Sequence, residues 1–91
     1  MTRYRLAPDV GVIDDGVRVF AAALPEGPIV VLAGIGAEVW RAVLDADLPT
    51  ATARLVTEGA GPQEEAASDA ALYTAALVDA GLLVAEHGED V

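Results

Sequence analysis

An α+β fold, with a small antiparallel sheet ahead of three helices, is predicted by three observations. Short β-branched runs separated by turn residues fill the first third of the chain. The segment Ile29-Val30-Val31-Leu32 then passes through Gly34 and Gly36 directly into apolar residues at helical spacing. From there to Gly81 the pattern stays helical, broken at Pro49 and again at Gly59 to Pro62. With 91 residues the chain has room for one domain and one core, and little room for a deep pocket.

The elements follow in order. Tyr4 to Leu6 alternates aromatic, charged and apolar residues and reads as a short strand ended by Pro8. Val10 to Ile13 is a second β segment. Asp14-Asp15-Gly16 is a turn signal, since Asp and Gly tolerate the left-handed backbone of hairpin turns. Val17 to Leu24 reads as a strand with Val17, Val19 and Ala21 on one face and Arg18 and Phe20 on the other. Leu24 to Pro28 is a turn, and Ile29 to Leu32 closes the meander as its third strand. The first helix is expected over about 35–45, where Ile35, Val39 and Val43 form one row and Gly36, Trp40 and Leu44 the next. A second helix starts near Thr50 or Thr52, either suited to cap it, and stops at Gly59. The third runs from about Glu64 to Ala80, with Ala66, Ala70, Tyr73, Leu77 and Ala80 on one face, Leu72 and Ala76 on the flank, and Gly81 as its left-handed stop. Leu82-Leu83-Val84 is an apolar segment that must pack, as a short strand or otherwise. The whole reads as a single domain over 1–91, with a core at about 4–85 and a frayed tail at 86–91.

Composition excludes several classes of function. The chain has no cysteine, which removes disulfides and thiolate metal sites and fits a cytoplasmic location. No apolar stretch is long enough for a membrane span, and no apolar region follows the basic N-terminus as a signal peptide requires. The formal charge is −10, all five basic residues are arginines before position 55, and the last 37 residues hold eight carboxylates. Strand-then-helix order with a turn between the second and third helices suggests a winged helix-turn-helix variant. A DNA-binding version needs Arg or Lys on its last helix, yet 64–80 carries Glu64, Glu65, Asp69 and Asp79 and no basic residue. Nucleic acid is therefore not an expected partner.

Candidate chemistry is sparse. Gly34-Ile35-Gly36 at a strand-to-helix junction has the look of a phosphate-binding turn. Val39 stands where the third glycine of the dinucleotide fingerprint would be, so the glycines are read as permitting the bend and close packing. His87 is the only histidine and lies in a polar tail, which gives no metal constellation. Ser68 is the only serine and has no histidine near it in the expected fold. The expectation is a non-enzyme without cofactor or metal. Trp40 and Tyr73 lie on apolar helical rows, as core residues or as the lining of a groove beside the third strand.

Taken together, several segments resemble the stand-alone PqqD-like proteins, the RiPP precursor peptide recognition elements. Leu6-Ala7-Pro8-Asp9-Val10 is similar to the family's opening L-x-P-x-V. Leu24-Pro25-Glu26-Gly27 with Val30 and Leu32 resembles its second hairpin, and Gly36-Ala37-Glu38-Val39-Trp40 the start of its first helix. Thr50 or Thr52 stands near the threonine that opens its second helix. Asp69, Tyr73, Leu77 and Gly81-Leu82-Leu83 match its closing pattern, while Ile35, Ala70, Thr74 and the loop at 59–62 depart from it. The resemblance spans about residues 6–84. It implies a winged-helix-like fold with a three-stranded antiparallel sheet and three helices. It also implies a non-catalytic chaperone that binds a precursor's leader peptide and presents it to a modifying enzyme, such as a radical SAM maturase or a leader peptidase.

In such domains the leader adds a strand to the third strand's edge and lies against the third helix. Carried onto this chain, the peptide-binding residues are Pro28, Ile29, Val30, Val31 and Leu32 on the edge, and Asp69, Leu72, Tyr73 and Ala76 on the helix, with Leu77 deeper. The residues suit that role, because the strand is uncharged and only Pro28 at its entrance blunts it. The small residues Ala66, Ala70 and Ala76 leave room for large leader side chains, and Asp69 and Asp79 suit a basic one. The same edge also leaves open a homodimer. Alternative readings are a winged-helix regulator and an acidic adaptor subunit.

Overall fold

Two short segments from opposite ends of the chain find each other. In a computed structural model, which describes residues 2–59 and 61–87, β1 (Thr2–Leu6) pairs antiparallel with the last strand, so that Tyr4 stands opposite Ala85 and Leu6 opposite Leu83. Between them lie β2 (Val10–Asp14), β3 (Val19–Ala23), β4 (Val30–Leu32), helix α1 (Ile35–Val43), the two-residue β5 (Ala46–Asp47), and helices α2 (Leu48–Thr57) and α3 (Gln63–Asp79); β6 (Leu83–His87) closes the chain. The strands form two antiparallel sheets, one ordered β5-β1-β6 and the other β2-β3-β4. The α+β class and its winged-helix-like order of strands before helices hold. The single three-stranded sheet expected from the sequence becomes two.

The meander forms as its turn residues dictate. Asp15 Oδ1 accepts from the backbone N–H groups of Val17 and Arg18 at 2.8 and 2.7 Å, and Gly16 takes a positive φ of 92° at the tip. These two bonds hold the Asp15 carboxyl below the usual carboxylate range, Arg18's first and then Val17's. Val17 consequently belongs to the turn and is exposed, not to the inward face of β3. Asp14 reaches from this turn to α1, where Arg41 grips both carboxylate oxygens at 2.9 Å and also contacts Glu38 at 3.3 Å. The Arg41 guanidinium, helped by the Gly16 N–H, lowers the Asp14 pKa to about 2.

Helix α1 buries most of the two rows that its periodicity marks, and α3 buries a row that departs from the expected one. Helix α1 hides Gly36, Ala37, Val39, Trp40, Ala42 and Val43, and Trp40, 1% exposed, sits in the middle of the core. Trp40 is thus a core residue, as its helical row predicts. The helix stops at Val43 because Asp45 takes a left-handed φ of 60°, its N–H donating to the Tyr4 carbonyl at 2.7 Å. Helix α2 begins earlier than expected. Its cap is Asp47, whose Oδ1 accepts from the Thr50 N–H at 2.8 Å; Pro49 occupies the first turn and Thr52 is buried. On α3 the buried row is Ala66, Ala70, Thr74 and Leu77, with Tyr73 half-buried beside it and Ala80 exposed. Gly81, at φ 81°, turns the chain into β6.

β6 runs beyond the expected core boundary, correcting the tail's reading at Glu86 and His87. Glu86 pairs with Arg5 at 3.2 Å, and His87 Nδ1 shares a hydrogen bond with Thr2 Oγ1 at 2.9 Å. The rest of the expected tail, 88–91, lies outside the described residues. No helix among the described residues is long and apolar enough to cross a membrane.

Candidate functional site

Three consecutive residues make β4, and their register on β3 decides which way each side chain points. Val30 stands opposite Ala21, Val31 opposite Phe20, and Leu32 opposite Val19. Val19 and Ala21 are buried, so Val30 and Leu32 share their inward face and pack half-buried on the core. Val31 points outward and is 53% exposed. Among the described residues β4 pairs with β3 alone, which leaves its other border without a hydrogen-bonding strand. Natural edge strands are usually blunted by charge, proline or a bulge. Here Pro28 and the 70% exposed Ile29 lie just before the strand, outside its paired residues, and nothing charged follows until Glu38.

A floor adjoins that border. Gly36, in the first turn of α1, is buried under side chains from two other elements. A methyl group on its Cα would lie 3.4 Å from Tyr73 Cε1 and 3.8 Å from Leu32 Cδ2. Leu32 of β4 and Tyr73 of α3 thus converge on Gly36, each at ordinary van der Waals distance from where a methyl group would stand. Gly34, with its positive φ of 57°, makes the bend from β4 into α1 that brings Gly36 to this place.

Helical spacing arranges the remaining residues around Tyr73. Asp69 lies one turn before it and Ala76 one turn after, while Leu72 stands on the adjacent row with Ala76. Leu72 is 68% exposed, Ala76 is exposed and Asp69 is half-buried without an ion-pair partner among the described residues. A large apolar side chain held in water, beside a half-buried tyrosine and a short alanine, is a surface suited to another apolar group. Leu77, expected deeper, is buried. The structure therefore joins β4 to α3 through Leu32, Gly36 and Tyr73, and leaves Leu72 and Ala76 open to solvent.

Two features of this region escape sequence reading. Gly36 is expected only to ease packing, and one of its specific partners, Tyr73, lies 37 residues further along the chain. The Arg41–Asp14 pair, which fixes the β2–β3 hairpin against α1, joins residues 27 apart along the chain. Arg41 falls in the last turn of α1 and Asp14 at a turn, so each has a sufficient local reason to be there.

No group of His, Asp or Glu side chains that could hold a metal ion occurs among the described residues. Asp79, which the sequence offers as a second acid for a basic ligand, lies instead on a different groove, with Tyr4, Leu48 and Ala75.

Comparison with known proteins gives one informative match. No protein-family profile matches the chain, and no curated protein sequence does. By fold, the chain is similar to a solved structure described as TbiB1 in complex with the TbiA(beta) leader peptide. The TM-score is 0.78 at 15% sequence identity, over 93% of this chain and 99% of the other. At that identity the match speaks for the fold.

Proposed function

We propose that this chain is a non-catalytic peptide chaperone of the PqqD-like kind. It binds the leader of a ribosomally made precursor by strand addition and presents it to a modifying enzyme in the cytoplasm. The observation that carries this reading is the unpaired border of β4, uncharged and set beside Tyr73. An incoming strand satisfies its backbone groups there, which supplies affinity with little demand on sequence. Its inward side chains meet Leu32, Tyr73, Leu72 and Ala76, where fit confers specificity. Asp69 offers a weak electrostatic preference for a basic residue. The fold likeness to TbiB1, a protein solved with a leader peptide bound, supports the same reading.

The test uses a fluorescent peptide carrying the leader of a precursor encoded beside this gene, titrated by anisotropy. Strand addition requires that N-methylation of alternate peptide residues abolishes binding, because each such residue loses the N–H that it gives to β4, while the residues between tolerate it. It also requires that Val31→Pro lose binding with the Trp40 emission of the folded protein retained. Equal tolerance of N-methylation at every position would contradict the strand-edge site. A shift of DNA mobility at low salt would favour a winged-helix regulator instead, and capture of a protein partner without any peptide an acidic adaptor.

A further inference from the structure

The side of the β2-β3-β4 sheet that faces away from the helices is also apolar. The register places Ile13, Phe20 and Val31 side by side in one row across the three strands. Ile13 is 68% exposed and Val31 is open beside it, while Phe20 is half-buried beneath the Arg18 guanidinium, 5.4 Å from the ring centroid. Next to the row is a shallow cavity of about 360 Å³, whose lining includes Gly11, Ile13, Phe20, Ala22, Leu24 and Ile29. None of these six residues is charged, in a chain of net charge −10. Exposed apolar residues gathered on one face are available to a partner's apolar side chain.

We infer that this outer face is a second specificity element for the bound leader, requiring a large apolar leader residue opposite Val31. The inference rests on the strand-addition reading, and it follows from the pleat. Successive side chains of an added strand alternate between faces. Those beside Val30 and Leu32 enter the groove towards α3. The one opposite Val31 emerges on the outer face and becomes the fourth member of the row Ile13–Phe20–Val31. Directly opposed side chains in a sheet have Cβ atoms about 4.5–5.5 Å apart, and diagonal neighbours are still within reach of a long side chain. A β-branched residue there covers Val31 and adjoins Ile29, and an aromatic one is long enough to extend towards Phe20 as well. A charged or small one leaves Val31 and Ile29 wet. The peptide class that fits is therefore apolar on both faces at the centre of its bound segment, not amphipathic.

A displayed library of short random peptides, selected on the immobilised full chain, tests this directly. The chain has no cysteine. A Val31→Cys variant therefore traps, under mild oxidation, only peptides whose own cysteine stands opposite residue 31, and so assigns the register. At the trapped position, selection on the unaltered chain is expected to enrich Ile, Val, Phe, Tyr or Trp over polar residues by about five-fold, the upper range for one cross-strand pair. Selection on a Phe20→Thr variant should lower the aromatic enrichment at that position and leave the preferences at the groove positions unchanged. Phe20 lies on β3, outside the strand edge and the groove, threonine keeps a β-branched strand residue there, and Trp40 emission verifies the fold. Polar residues accepted at the trapped position, or an aromatic enrichment undiminished in the Phe20→Thr variant, would overturn the inference while leaving strand addition standing. Peptides that bind but are never trapped opposite residue 31 would overturn strand addition itself.

Discussion

Replacing Tyr73 by alanine separates a groove residue from a core residue, because the two roles predict different measurements. A fully buried aromatic truncated to alanine costs about 3–5 kcal/mol of stability. Tyr73 is half-buried, its ring resting on Gly36 and Leu32, so the expected loss is about half that, roughly 1.5–2.5 kcal/mol. If the exposed side of the ring contacts the leader, affinity also falls by about 1–3 kcal/mol, as for an interface anchor, or about 5- to 150-fold in Kd. Urea melts followed by the buried Trp40 give the first quantity. Anisotropy titration of the leader peptide, corrected for the folded fraction, gives the second. Leu77→Ala is the control. That side chain is buried one turn along the same helix, so its truncation should cost about 2–5 kcal/mol of stability and leave the Kd of folded protein unchanged. A Tyr73→Ala protein that is destabilised yet binds as tightly as the original would show Tyr73 to be packing alone, and would remove α3 from the site.

Two further predictions concern charge. The Asp14 pKa is lowered to about 2 by Arg41, so this pair stabilises the folded chain fully above the ordinary carboxylate value of 3.8 and loses its effect as pH falls through about 2. Arg41→Met or Asp14→Asn should therefore flatten the loss of thermal stability across that acid window; an unchanged acid slope would mean the pair is not maintained in solution. Asp69→Asn should change leader affinity by only about 0–1 kcal/mol and weaken its salt dependence, as an exposed pair does; a loss of tens of fold would make Asp69 a central contact.

Elements set by local chemistry were legible in the sequence, and those set by distant partners were not. The turn at Asp14 to Gly16, the apolar rows of α1 and the left-handed stop at Gly81 each follow from neighbouring residues. Pairing of β1 with β6 joins positions such as Thr2 and His87, and no local pattern announces it. Helix α2 had competing caps within a few residues, and Asp47 prevailed because it precedes Pro49, which suits a first turn. On α3 the alanine-rich sequence gives little contrast between faces, so the buried row could be placed only to within one position. Thr74 takes the place in that row that the sequence suggested for Tyr73. The edge residues Val30 to Leu32 were legible as an uncharged strand. Tyr73 was legible as an aromatic near that strand, but its seat over Gly36 depends on a contact between three elements.

The central claim is that a foreign peptide completes the sheet at β4. Amide hydrogen exchange of residues 30–32, read by NMR with and without the leader peptide, tests it most directly. The account predicts that saturation with peptide slows exchange within this segment and produces contacts between peptide backbone and β4. Slowed exchange confined to α3 or to the β1–β6 sheet, with residues 30–32 unaffected at saturation, would contradict it.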